Sequence, residues 1–215
     1  MRKTNIRRKS NIPDIIKKHV YNNIKEYLIV SILLLVGIVL GVIFINNISD
    51  TQKLEISNYI NNFIETIKNN SDINKEVLLK KSILNNSIIS FFMWFAGSTI
   101  IGIPIVLGIV AYRGFCISYT ISSVIYSLGT GKGLIFAVLA ILPHSIIYIP
   151  AILSLAVTGI RLYKTILKDR NVNNMKIELM RHTVFSLLIF ILLVISSFVE
   201  TYISATLLKT IIKYI

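Results

Sequence analysis

The stretch Gly131–Gly159, GKGLIFAVLAILPHSIIYIPAILSLAVTG, constrains the fold more than any other part of the chain. It is apolar enough, and long enough, to cross a bilayer, which takes about 20 apolar residues. Inside lipid every backbone N–H and C=O must be satisfied internally, so a segment of this kind is read as a helix. Pro143-His144 interrupts the run, and Pro150 follows one heptad later. A proline in mid-helix removes a backbone donor and predicts a kink. An imidazole at membrane depth is costly, which makes His144 a functional-site hypothesis by default. The plainer reading is a kinked packing helix whose imidazole is satisfied by a neighbouring helix.

Composition points the same way. The 215 residues are 54% hydrophobic and 15% charged, against about 25% charged in soluble domains. Such apolar excess needs lipid to cover it and leaves no room for a separate soluble enzyme. The net charge of +13 could suggest nucleic acid, but its placement does not. Met1–Glu26 holds eight Lys/Arg against two acids, Ile160–His182 six against two, and Asn46–Asn86 five of each. Basic flanks mark the inner side of a membrane and attract anionic lipid. No aromatic-basic interleaving suggests a base-stacking surface, so no nucleic-acid partner is expected. Cys116 is the one cysteine, so no internal disulfide is possible.

Residues 1–26 read as a basic cytoplasmic segment, with Pro13 opening a possible interfacial helix through Ile15, Ile16, Val20 and Ile24. The first transmembrane anchor covers 27–45 and carries Gly37 and Gly41 at GxxxG spacing. No small-x-small cleavage site follows it, so a retained anchor is expected rather than a signal peptide. Residues 46–87 form the one sizeable polar segment. Ser49 and Gln52 have capping-box spacing, and Ile56, Tyr59, Ile60, Phe63, Ile64 and Ile67 line one helical face. After Asn69-Asn70, Ser71 is placed to cap a second helix, completing an outer amphipathic hairpin. Its apolar stripe is a candidate partner face, or else it buries at home or on the outer leaflet.

A four-helix membrane core is expected over 88–208. Its parts are Ile88–Tyr112 with a kink at Pro104, a cytoplasmic turn at Arg113-Gly114, a short span Phe115–Leu128, the kinked helix Gly133–Gly159, and a last span from Thr183 through Glu200 to Leu208. Gly129–Gly133 lacks a phosphate-loop pattern and reads as an outer turn. Phe115–Leu128 is short enough to be re-entrant, yet only a full crossing leaves the basic loop Ile160–His182 inside. Residues 209–215 form a tail. The fold class is therefore all-α: a polytopic membrane bundle of about five transmembrane helices, N-terminus inside and C-terminus outside.

Reactive groups do not converge. His19, His144 and His182 are scattered, and no metal-ligand spacing, membrane-protease motif or cofactor motif is present. No catalytic residue, metal or cofactor is expected. Three charged or titratable residues stand out: Arg113 at the inner interface, and His144 and Glu200, which could pair between helices for proton coupling or simply to fix register.

The order of parts, with Tyr112-Arg113-Gly114-Phe115, Gly129–Leu134, Ile141-Leu142-Pro143-His144 and Phe198-Val199-Glu200-Thr201-Tyr202-Ile203, resembles the stage II sporulation protein M family of bacterial membrane proteins. The resemblance covers nearly the whole chain. One departure is Tyr148, where many members of the broader family carry a glutamate. The resemblance implies a non-enzymatic protein of endospore engulfment at the mother-cell membrane, anchoring or recruiting two peptidoglycan hydrolases, stage II sporulation proteins P and D. The competing expectation is a transporter or permease subunit using the broken His144 helix.

Overall fold

In the computed structural model, residues 20–69, 74–99, 101–168 and 172–213 are described. Among the described residues the principal α-helices are α1 (Ile24–Asn47), α2 (Asp50–Asn69), α3 (Lys75–Gly97), α4 (Ile103–Leu128), α5 (Thr130–Lys168), α6 (Val172–Phe198) and α7 (Ala205–Ile212). A π-helical segment, Val199–Ser204, joins the last two. Local chemistry sets several ends. The Ser49 and Gln52 capping box forms, with the Ser49 amide donating to Gln52 Oε1 at 3.2 Å. Asn74 Oδ1 accepts from the Val77 amide at 3.1 Å and caps α3; Ser71, proposed for that role, lies outside the described residues, as does the interfacial helix expected to start at Pro13. Gly129, at φ +79°, turns the chain between α4 and α5.

Four helical stretches, Ile24–Asn47, Ile103–Leu128, Thr130–Leu167 and Met175–Ile212, are long and apolar enough to cross a membrane. The less apolar α3 runs antiparallel along the last of these: Ser82 meets Glu200, Asn86 meets Ser197, and Trp94 meets Thr183. Five helices therefore traverse the bundle. In contrast, α1 and α4 are parallel, since Gly37 lies against Ala111 and Gly41 against Phe115 and Ser118. Helix α5 returns antiparallel to both α1 and α6. Tyr27 donates to Ser154 at 3.0 Å, Lys164 reaches Glu26 at 2.5 Å, and Ser196 donates to the His144 carbonyl at 3.1 Å. By the positive-inside rule, the end expected to face inward is the one that gathers the start of α1, the end of α5 and the start of α6, where Lys and Arg predominate, and inner and outer are used in that sense.

This arrangement corrects the expected second span. Ile88–Tyr112 is not one helix. The chain turns at Ser98, Thr99 and Gly102, with the Gly102 amide donating to the Thr99 carbonyl at 3.3 Å. Pro104 starts α4 instead of kinking a longer helix, because its missing N–H is harmless in a first turn. Arg113-Gly114 consequently lies in the middle of α4, not in a cytoplasmic turn. The short Phe115–Leu128 stretch becomes the outer half of a 26-residue helix, ample for a crossing. Nor do Pro143 and Pro150 divide α5, which continues for 39 residues.

A helix of that length spans about 58 Å, nearly twice the roughly 30 Å hydrocarbon layer. Its first turns therefore project beyond the outer face together with the end of α4 and with α7. Helix α2 lies across these projecting ends. There Ile60, Ile64, Val124, Phe136 and Ile212 bury one another, with Ile56, Ile67, Leu128 and Leu208 packed around them. A larger cluster within the membrane layer joins α1, α3, α4, α5 and α6 through Val30, Met93, Val106, Val110, Leu155, Ala156 and Leu193.

Small residues decide how closely the membrane helices approach. A methyl group at Gly37 would overlap the Ala111 carbonyl, and one at Gly114 would overlap the Leu34 carbonyl. Gly97 and Gly159 meet backbone to backbone between α3 and α5. Gly37→Ala must therefore push α1 off α4 and should cost about 1–3 kcal/mol, the range for overpacking. Gly108→Ala, where a methyl meets nothing within 4 Å, should leave stability unchanged or slightly raised. Thermal unfolding of the two variants in the same detergent checks the contrast; equal melting temperatures would remove the close crossing as a determinant.

Candidate functional site

Polar residues on four helices meet in the membrane layer toward the outer side. Helix α5 supplies His144 and Tyr148, one turn apart, with ring centroids 6.5 Å apart in an edge-on arrangement. From α4, the Arg113 guanidinium lies 5.5 Å from the centre of the Tyr148 ring, a cation–π contact. The π-helical segment presents Glu200, whose Oε2 accepts from Ser82 of α3 at 2.6 Å. Tyr148 lies within electrostatic reach of both Arg113 and Glu200, and His144 within reach of Glu200. Arg113 and Glu200 thus both lie near the buried Tyr148 phenol, and Glu200 also lies near the half-buried His144 imidazole.

His144 and Glu200 are brought near one another, but the carboxylate takes its hydrogen bond from Ser82 rather than from the imidazole. His144 Nδ1 is buried beside the Ala140 carbonyl without a hydrogen bond of good geometry, and the Tyr148 and Thr201 hydroxyls are also unpartnered. Pro143 and Pro150 act on the backbone: they remove the donors that would have reached the carbonyls of Leu139 and Ile146. Asn86 reinforces the α3–α6 seam one turn inward, donating to Ser197 at 2.8 Å. Such an arrangement can balance charge and hold register within lipid. Among the described residues no three His, Cys, Asp or Glu side chains gather as metal ligands.

Sequence reasoning missed Ser82, Asn86 and the π-helical segment. Ser82 and Asn86 sit four residues apart, so they share a helix face; that spacing was the available signal, hidden in a run read as an outer hairpin. The extra residue in a π-turn re-aims the side chains around it and is frequent at functional sites; nothing in the local sequence announces it.

A second feature lies on the outer face. Of the six stripe residues on α2, Ile60 and Ile64 are buried against the bundle's own projecting ends, and Ile56 and Ile67 are packed beside them. Tyr59 and Phe63 stay exposed, at 74% and 42%. They border a groove of about 610 Å³ between α2 and the outer half of α4, with Tyr119, Val124 and Phe136 on its other side.

The sequence profile described as Stage II sporulation protein M matches residues 30–205. An uncharacterized protein of Methanocaldococcus jannaschii is 33% identical over 172 residues, covering 78% of this chain and 87% of that one. No solved structure matches.

The Ser82–Glu200 contact is testable by itself. Ser82→Ala strands a carboxylate in a low-dielectric seam and should lower stability by about 1–3 kcal/mol. Combining it with Glu200→Leu should recover most of that loss, because removing both partners is nearly neutral. A double-mutant cycle read by unfolding in detergent decides the matter, and additive losses would mean the two groups are energetically independent.

Proposed function

Because the chain belongs to the stage II sporulation protein M family, we propose that this multi-pass membrane protein is a non-enzymatic anchor of endospore formation. In this reading it holds peptidoglycan hydrolases at the engulfing mother-cell membrane, with stage II sporulation proteins P and D as the partners that the family resemblance suggests. The observation that carries the reading is the outer platform. Helix α2 uses Ile60 and Ile64 to seat itself on the bundle and keeps Tyr59 and Phe63 free at the edge of a groove. Exposed aromatics beside an apolar concavity are the usual anchors of a protein interface. A rigid ledge outside the membrane would let soluble or singly anchored enzymes gather without any chemistry in the anchor itself.

Tyr59→Asp and Phe63→Asp alter the exposed edge and leave the seat intact, so the spans should insert normally. Capture of the tagged protein from sporulating cells in mild detergent, followed by mass spectrometry, should recover both hydrolases. Their recovery should fall about tenfold or more in the aspartate variants, the scale expected when an interface anchor is lost. Undiminished recovery from both variants would move the partner face elsewhere.

The membrane polar network favours a second reading, a transporter or permease subunit. Ionisable residues at membrane depth commonly mark solute or proton paths. On that reading His144→Ala changes proton or solute flux in reconstituted vesicles, and an associated nucleotide-binding ATPase replaces the wall enzymes in the capture experiment. Unchanged flux with normal sporulation would rule it out.

A further inference from the structure

At the inner end of the bundle, α5 and α6 part to leave a pocket of about 300 Å³. Its mouth carries Arg161 and Arg181, and its inner wall is formed by Leu162, His182 and Phe185. Both guanidiniums approach the same oxygen, Glu178 Oε1, at 3.9 Å for Arg161 and 2.6 Å for Arg181. Among the described residues one carboxylate faces two arginines, and a guanidinium has five donors, so the pair can still bind an anion. The pocket lies where the basic segment Ile160–His182 meets the membrane layer, so its basic mouth faces the inner surface and its apolar wall faces the acyl region.

His182 adds a second, independent feature. It is 3% exposed. Its Nε2 lies 3.3 Å from the Trp94 carbonyl, and its Nδ1 has no hydrogen-bond partner. A carbonyl only accepts, so the hydrogen sits on Nε2 and the neutral ring offers Nδ1 as an acceptor. The ring edge lies against Gly97, and the ring helps to wall the pocket.

We propose that this pocket binds the headgroup of an anionic phospholipid of the inner leaflet. The phosphodiester lies between Arg161 and Arg181, and the acyl chains leave past Phe185. Phosphate recognition by paired guanidiniums at a helix–helix junction is strong because it is charge-assisted and forked. Glu178 sets the affinity, since it occupies donors that the phosphate would use.

The test uses the full chain in nanodiscs of phosphatidylcholine doped with phosphatidylglycerol, with retained lipid counted by native mass spectrometry. Wild type should retain phosphatidylglycerol about tenfold over phosphatidylcholine, a 1.4 kcal/mol preference. Arg161→Gln with Arg181→Gln should abolish the preference. Lys25→Gln with Lys164→Gln, which removes the same two positive charges outside the pocket, should preserve it. Glu178→Gln should strengthen retention, an outcome that a merely structural carboxylate would not produce. Melting in pure phosphatidylcholine shows whether each variant is folded, and Arg161→Lys with Arg181→Lys serves if the glutamine pair is not. Equal losses in the Lys25 and Lys164 double variant would mean general surface charge and overturn the site. Displacement of the lipid by inorganic phosphate alone would overturn the lipid assignment in favour of a free anion.

Discussion

Apolar side chains gain little by leaving lipid for a protein interior, so a membrane bundle must be held by close packing and by polar contacts. The close parallel crossing of α1 with α4 is where this constraint is met most tightly. Gly37, Gly41 and Gly114 let backbones touch where any larger residue would collide with a carbonyl or side-chain oxygen. The same logic orders the rest of the bundle. Ser90, Ser118, Ser145, Ser186, Ser196, Ser197 and Thr201 are buried, while Leu28, Ile32, Leu35, Val39, Ile43, Leu188 and Ile195 face outward. Small polar residues fill the seams and bulky aliphatic ones face the bilayer.

Beyond the outer face the rule reverses. There water surrounds the helix ends, and burying Ile60 and Ile64 contributes about 1.5–3 kcal/mol each. The amphipathic stripe of α2 therefore has a strong reason to pack on its own bundle. Two forces thus build one molecule: backbone proximity within the membrane and apolar burial outside it. The junction between these regimes holds the Arg113, Tyr148, His144 and Glu200 group.

The long apolar helices were legible because apolar length reports on them directly. The alternation of spans also brought the start of α1 and the end of α5 to one end of the bundle, where Lys164 meets Glu26. The position of the inner turn was not legible. Ser98, Thr99 and Gly102 carry no charge, whereas Arg113-Gly114 has the look of a cytoplasmic turn. What a single sequence could not reveal is that the Tyr148 ring, distant in sequence, meets the Arg113 guanidinium in mid-helix. Tyr148 had been noted only as a departure from a carboxylate; its aromatic face is what meets the cation. Helix α2 was legible through its period and cap, but its division into a buried half and an exposed half depends on partners such as Phe136 and Ile212 far along the chain.

The contact between α2 and α7 carries a consequence for biogenesis. During synthesis, α2 emerges early, yet Leu208 and Ile212, which help cover its stripe, are made some 150 residues later. Until α7 arrives, the stripe has only part of its cover, and α1 must likewise wait for α4 before it finds its close-packed neighbour. The seat of α2 is therefore finished only once the last helix has been made, so an element from the first third of the chain depends for its full cover on the final turns.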